Sequence, residues 1–154
     1  MTLRRRLRIL ALLGGTATLA VAGSAMAPAP KGPSMLVYKT PTCGCCRKWV
    51  EHAKAHGFEV TVKDLPDLSE IKAELGVKPQ HQSCHTALVG GYVIEGHVPA
   101  DLVQKLLREK PKNVAVLAAP GMPNGSPGME GLFKDKYDVV AVGRDGKATV
   151  YATR

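Results

Sequence analysis

The sequence lacks an apolar run long enough to cross a lipid bilayer. Its longest uncharged apolar stretch, residues 9–22, has 14 residues, whereas a membrane-spanning helix needs about 20. Basic residues precede this stretch and small residues follow it, a pattern typical of a secretory signal peptide. The basic residues are Arg4, Arg5, Arg6 and Arg8. We therefore predict a signal peptide over residues 1–27, a periplasmic location, and no membrane span after cleavage.

The sequence is also poor in aromatic residues, which make up 5% of the chain. Its lysines are scattered among acidic residues rather than clustered. Nucleic-acid binding depends on clustered cations and stacking aromatics, so nucleic acid is not an expected partner. The formal charge of +8 falls to +4 when residues 1–27 are removed, because they hold four arginines and no acidic residue. Part of the basic balance therefore belongs to the export signal.

The remaining chain is long enough for one domain with a hydrophobic core. Residues 28–34, rich in proline and alanine, have little to bury and are predicted to form a flexible linker. Apolar spacing then predicts strands at 35–38, 58–62, 86–89 and 92–94, with helices ending at Gly57 and spanning 68–75 and 99–108. The pair Gly90-Gly91 predicts a tight hairpin between the last two strands.

This order of elements, βαβα followed by ββα, is that of the thioredoxin fold, a mixed sheet with helices on both faces. Further along, the sequence predicts a Gly/Pro-rich loop over residues 118–131 and a β-hairpin of residues 137–142 and 147–151. We therefore predict one α/β, thioredoxin-like domain over residues 35–154, with the loop and the hairpin as a C-terminal extension.

Cysteine is scarce, with four in the chain, yet three of the four lie within four consecutive positions. Cys43, Cys45 and Cys46 follow a predicted strand at the start of a predicted helix. There the helix dipole and free N–H groups stabilise a thiolate, which is both a nucleophile and a metal ligand. Loop-stapling disulfides do not explain the cluster, because a bridge between the neighbours Cys45 and Cys46 is strained.

The fourth cysteine is expected to join the other three. Cys43 and Cys46 form the C-x-x-C pair of thioredoxin-like proteins, and Cys45 adds a third sulfur. The thioredoxin pattern places Cys84 in the turn that faces this pair, at a position where thioredoxin has a proline. We therefore predict four converging thiols, a metal-binding site rather than a simple dithiol.

Soft thiolates suit Cu(I), zinc and iron–sulfur clusters, and the cysteine spacing ranks these metals. Zinc sites usually use paired C-x-x-C knuckles, but Cys84 has no second cysteine nearby. The adjacent residues Cys45 and Cys46 suit the bridging of several low-coordinate ions. Neither usual ferredoxin spacing is present. Copper as Cu(I) is therefore the first choice, zinc the second and an iron–sulfur cluster the third.

Histidine and methionine supply further candidate ligands, each with plain packing as the alternative. The candidates are His85, which adjoins Cys84, and the loop thioethers of Met122 and Met129. His97 opens the third predicted helix, where a capping or packing role is the simpler interpretation. His52 and His56 are expected to be solvated, and Trp49 is expected to lie in the core.

Four motifs carry a resemblance to a known family: C-G-C-C-x-x-W, S-C-H-T, E-G-H-V-P-A and P-G-M-P-x-G-S-P-G-M. In combination they resemble the periplasmic CopG-type copper-resistance proteins over residues 35–152. The resemblance implies a thioredoxin-like fold and a part in copper tolerance, with other periplasmic copper-handling proteins as candidate partners. It also implies copper binding by Cys43, Cys45, Cys46 and Cys84.

Two other functions remain open from the sequence. A thiol–disulfide oxidoreductase would use Cys43 and Cys46 and leave Cys45 and Cys84 dispensable, but the loss of the thioredoxin proline disfavours it. A purely structural role would pair Cys43 with Cys46 and Cys45 with Cys84, which does not explain a cluster at a helix N-terminus. The leading hypothesis is periplasmic Cu(I) binding for sequestration, transfer or cycling between oxidation states.

Overall fold

The computed structural model describes residues 32–154. The predicted signal peptide, residues 1–27, lies outside the described residues, as do positions 28–31 of the predicted linker. Ser34, which the sequence placed at the end of that linker, is the first residue of a strand. Within residues 32–154, no helix has both the length and the apolar character needed to cross a membrane.

Residues 32–154 form three α-helices and seven strands, in an order that agrees with the sequence prediction up to residue 110. The first part comprises β1 (Ser34–Lys39), α1 (Gly44–Ala55), β2 (Glu59–Asp64), α2 (Ser69–Glu74), β3 (Thr86–Val89), β4 (Tyr92–Gly96) and α3 (Ala100–Glu109). The extension comprises β5 (Val114–Ala119), β6 (Asp138–Gly143) and β7 (Ala148–Thr153). A 3-10 turn, Pro79–His81, precedes β3.

The strands form one sheet in the order β2-β1-β3-β4-β5-β6-β7. The pairs β1–β2 and β4–β5 are parallel, and the other neighbours are antiparallel. The predicted hairpin forms as expected, with Gly90 and Gly91 at positive φ of 56° and 83°, which a two-residue hairpin of this kind requires. The predicted mixed α/β fold is therefore confirmed.

Helix α1 packs on the sheet through the face that the sequence predicted. The residues that α1 buries are Cys46, Trp49, Val50 and Ala53, which follow the i, i+3, i+4, i+7 spacing of an amphipathic helix. Trp49, Val50 and Ala53 join α3 residues such as Leu106 and sheet residues such as Ile94 in the main hydrophobic core. A smaller core on the opposite face surrounds Val77 and Val93. Cys46, which is fully buried, holds the start of α1 close to the sheet.

Strand β5 is absent from the sequence prediction, and it decides where the C-terminal hairpin packs. The predicted loop therefore begins after Ala119 rather than at residue 118. β5 pairs in parallel with β4 and antiparallel with β6, so β6 and β7 continue the same sheet. Consequently, the loop between β5 and β6 starts at the end of the sheet that also carries the turn before β3.

Candidate metal centre

The four cysteine sulfurs lie together, as the sequence predicted. The Sγ atoms of all four cysteines lie within 4.8 Å of one another. Cys43 Sγ is 3.5 Å from Cys45 Sγ, and Cys45 Sγ is 3.8 Å from Cys84 Sγ. Cys46 is fully buried, whereas the other three cysteines are partly exposed. The cluster is therefore open to solvent on one side and anchored in the core on the other.

The N-terminus of α1 positions three of these sulfurs. Cys43 is the N-cap residue, and its sulfur accepts a hydrogen bond from the Cys46 N–H at 3.3 Å. No acidic residue lies in the first turn of α1, so the positive end of the helix dipole faces the cluster without a compensating carboxylate. Cys43 and Cys46 are joined by a disulfide, while Cys45 and Cys84 are free thiols.

Cys84 reaches the cluster from the turn before β3. Burial raises the pKa of Cys84 to about 12, with a smaller contribution from the neighbouring Cys45 thiol. At neutral pH the metal-free protein therefore holds Cys84 as a protonated thiol, and a metal ion that binds its sulfur must displace the proton. The backbone carbonyl of Cys84 also lies 3.7 Å from Cys46 Sγ, so the turn approaches both Cys45 and Cys46.

His97 is the functional candidate that sequence reasoning missed. The sequence favoured capping or packing for it, but His97 Nε2 lies 2.9 Å from Cys84 Sγ. His97 is fully buried, and burial lowers the pKa of its imidazole. A signal for this contact was present in the hairpin. Thr86 pairs with Glu95, and continuing that register by two residues places Cys84 opposite His97.

His85 follows Cys84 in the chain. Together with Cys84 and His97 it forms a second group of possible metal ligands, whose donor atoms lie within 4.8 Å of one another. Its Nδ1 is 3.4 Å from Cys84 Sγ, and its ring packs against Trp49 with centroids 4.4 Å apart. His85 is fully buried, which lowers the pKa of the imidazole well below its usual value. Among residues 32–154, His85 Nε2 is the buried side-chain nitrogen or oxygen that has no hydrogen-bond partner.

The Gly/Pro-rich loop covers the site from the side of β5. Ser83 Oγ donates to the carbonyl of Gly121, and the carbonyl of Pro127 accepts from His97 Nδ1 at 2.8 Å. Gly128 has a positive φ of 85°, and a Cβ there would lie 2.6 Å from the Cys45 carbonyl oxygen. The loop backbone therefore packs directly on the cysteine segment, a close approach that only glycine permits.

The remaining methionine, histidine and tryptophan residues considered in the sequence differ in how deeply they are buried. The side chain of Met122 is largely exposed, whereas Met129 is half-buried beside the loop residues that cover the site. His52 was expected to be solvated, but it is half-buried and its Nε2 accepts from the Ala100 N–H at 3.1 Å. Trp49 lies in the core as predicted, and its Nε1 donates to the Val98 carbonyl at 2.9 Å.

A buried ion pair holds the turn that carries Cys84. The fully buried carboxylate of Glu95 accepts from the Lys72 ammonium, from the Ser83 N–H at 2.7 Å and from the Thr86 hydroxyl at 2.6 Å. Burial raises the pKa of Glu95, and the Lys72 charge acts in the opposite direction. Because Ser83 and Thr86 flank Cys84, this network fixes the backbone on both sides of the cysteine.

We expect Glu95→Gln to destabilise the protein by about 3 kcal/mol, because it leaves the Lys72 ammonium buried without its counter-charge. Urea unfolding that reports both the midpoint and the slope measures the effect. A matched control is Glu109→Gln, which breaks the Lys105–Glu109 pair. The two side chains of this pair are 45% and 47% exposed, so its loss should cost much less than the loss of the buried pair. Equal losses in the two variants would contradict the assigned role of Glu95.

Two solved structures of a copper resistance protein named CopG are similar to this chain. One, named form 2, is 42% identical, covers 80% of this chain and 98% of that chain, and has a TM-score of 0.76. This chain belongs to the CopG family. The other structure, form 1, is 43% identical, covers 79% of this chain and 96% of that chain, and has a TM-score of 0.74.

One further match covers part of the chain. Residues 81–129 match the family described as "Protein of unknown function, DUF411". That segment carries Cys84, His85, His97 and Met129 but not the first three cysteines. No curated protein matches the chain. The resemblance found in the motifs is therefore confirmed, and the two similar structures are named as a copper resistance protein.

The donor set of this chain is that of a site for a soft metal ion. Four sulfurs within 4.8 Å of one another form a soft site, which suits Cu(I) better than hard divalent ions. Three partly exposed cysteines give an ion access from solvent. The disulfide between Cys43 and Cys46 occupies two of the four sulfurs, so the full set becomes available when that bond is reduced.

Proposed function

We propose that this protein binds Cu(I) in the periplasm through Cys43, Cys45, Cys46 and Cys84 and thereby contributes to copper resistance. The observation that carries the proposal is the convergence of four sulfurs from two distant segments, within 4.8 Å of one another. A fold that needed only a redox dithiol would not have to bring Cys45 and Cys84 to the same place. Membership of the CopG family supports copper as the metal.

The arrangement lets the chain itself perform three tasks. The start of α1 presents sulfurs at the positive end of a helix dipole, which stabilises thiolates. The turn before β3, held by Glu95, presents Cys84 from the opposite side. The loop around Gly128 covers the segment that carries Cys45 and shields that side of the site from water. Binding copper to the thiols releases protons, so we expect affinity to rise with pH.

The location and the remaining ligands belong to the same proposal. The predicted signal peptide over residues 1–27 supports export, and the predicted linker, residues 28–34, would leave residues 35–154 as the metal-binding domain. His85 and Met129 are proposed as nearby donors to the site, and Met122 as an exposed thioether at its edge. Mass measurement of the protein from the periplasmic fraction tests export, with an N-terminus expected near residues 26–28.

A second candidate function is thiol–disulfide exchange by Cys43 and Cys46. The observation that favours it is the disulfide between these two cysteines at the N-terminus of α1. Thioredoxin-like oxidoreductases use a C-x-x-C pair at this position. Zinc remains the second choice of metal, because a four-thiolate set also suits it.

Anaerobic titration of the fully reduced protein with Cu(I), against a competing chelator, tests the proposed function. We expect tight binding of one or more copper ions per chain, measured by metal analysis of the protein after gel filtration. Parallel titration with Zn(II) should give weaker binding. If the reduced protein takes no copper from the chelator but reduces a disulfide substrate catalytically, the second candidate function replaces the first.

A further inference from the structure

A cavity of about 580 Å³ lies between strand β2 and helix α2, and no cysteine lines it. Three carboxylates and one ammonium group belong to its lining. These residues are Asp67, Glu70, Glu74 and Lys63. The cavity is therefore negatively charged, on a chain whose formal charge is +8. A concave surface whose charge opposes that of the whole chain is a candidate site for a small cation.

The carboxylates of this cavity have no counter-charge within residues 32–154. Glu70 and Glu74 are four residues apart on α2, and like charges at this spacing destabilise a helix. Neither of them, nor Asp67, takes part in an ion pair with another residue of that range. Lys72 lies between the two glutamates in sequence, but its ammonium is buried and pairs with Glu95. A cationic ligand would supply the missing charge.

Tyr38 supplies the inner wall of the cavity and is only 9% exposed. Its hydroxyl has no hydrogen-bond partner within residues 32–154, where the fully enclosed side-chain nitrogens and oxygens without a partner are limited to His85 Nε2. The hydroxyl therefore keeps access to solvent, which the cavity provides. Lys63 Nζ lies 5.8 Å from the centroid of the Tyr38 ring, a distance at which the ring face attracts an ammonium group. The wall thus already accommodates one ammonium group of the chain itself.

We propose that this cavity binds a linear aliphatic diamine, for which 1,4-diaminobutane is the model. Side chains four residues apart on a helix have Cβ atoms about 5–6 Å apart, a spacing comparable to that of two ammonium groups on a four-carbon chain. Glu70 and Glu74 each bind one ammonium group, and the Tyr38 hydroxyl accepts a hydrogen bond from one of them. The methylene chain packs on the apolar lining residues Leu65 and Ile71. The site is separate from the cysteine cluster, so the inference does not depend on copper binding.

Calorimetric titration of the metal-free mature protein with 1,4-diaminobutane, in an amine-free buffer, tests the proposal. Glu70→Gln/Glu74→Gln should lower the affinity at least about tenfold, because hydrogen bonds to charged groups are the strong ones. Tyr38→Phe keeps the ring but removes the hydroxyl, so the affinity should fall about fivefold. The matched control is Glu51→Gln, which removes an exposed carboxylate of α1 and should leave the affinity unchanged.

Measurements on the wild type separate a specific site from general attraction of cations. The amide resonances that shift on addition of the diamine should belong to residues 38 and 63–74. Mg(II), which carries the same charge, should not displace the diamine, and N-acetyl-lysine amide, which carries one ammonium group, should bind at least about tenfold more weakly. Displacement by Mg(II), shifts spread over the surface, or no binding at millimolar diamine would overturn the inference. Equal affinity for the lysine derivative would also overturn it, because the cavity would then bind single lysine side chains of a peptide.

Discussion

Cys84→Ser should lower the affinity for Cu(I) by at least about 100-fold and reduce the number of copper ions bound per chain. The expected loss is large because Cys84 is the one sulfur that approaches from outside the Cys43–Cys46 segment, at 3.8 Å from Cys45 Sγ. Loss of a direct ligand should exceed the 10- to 100-fold that is typical for groups that merely orient ligands, as a rough guide. Anaerobic competition with a Cu(I) chelator measures the change.

Serine is a suitable replacement because its hydroxyl can still donate a hydrogen bond to His97 Nε2. The stability of the metal-free protein should therefore change by less than about 1 kcal/mol. Ser83→Ala is the matched control, since it disturbs the same turn and its bond to Gly121 without removing a sulfur. A full complement of copper in Cys84→Ser, with unchanged affinity, would restrict the site to the three cysteines at the start of α1.

The convergence of the four cysteines could be predicted from the sequence. Local sequence patterns located both the segment that carries the first three cysteines and the turn that carries Cys84. The spacing of Trp49, Val50 and Ala53 fixed the buried face of α1, and hence the end at which the three cysteines lie. The Gly90-Gly91 pair fixed the hairpin, which carries Cys84 on the turn before it. Comparison with the thioredoxin pattern then placed that turn beside α1.

The roles of His97 and Glu95 depend on contacts that local patterns do not encode. His97 follows β4 directly, and its place opposite Cys84 emerges from the hairpin register, which has to be extended beyond the last apolar residue. Glu95 lies in a strand whose residues are all buried, where a carboxylate is expected only if it is paired. Its partner Lys72 is 23 residues away on α2, and nothing in the spacing of α2 indicates that a lysine is buried there.

Strand β5 was not predicted from the sequence, for a different reason. Residues 114–119 form a short apolar run between a lysine-containing turn and the Gly/Pro-rich loop, and such a run does not by itself distinguish a strand from a buried helix segment. What makes it a strand is pairing on both sides, with β4 and with β6. That pairing also determines that the loop after Ala119 returns over the cysteine cluster.

The oxidation state of the Cys43–Cys46 pair should decide whether the site can bind a monovalent metal ion. In the oxidised chain the disulfide removes two sulfurs as thiolate ligands and leaves Cys45 and Cys84. We expect the oxidised protein to bind at least about 100-fold more weakly than the reduced protein, because two direct ligands are lost. Ag(I) is the appropriate probe, since it is a soft monovalent ion that, unlike Cu(I), does not readily reduce the disulfide.

The double variant Cys43→Ser/Cys46→Ser provides the matched control, because it presents the same two thiols as the oxidised wild type in either redox state. Its affinity for Ag(I) should equal that of the oxidised wild type and should not respond to a reductant. Equal affinities of oxidised and reduced wild type would mean that Cys43 and Cys46 are not ligands. In that case the pair would be free for thiol–disulfide exchange, while Cys45 and Cys84, with His97 beside them, would form the metal site alone.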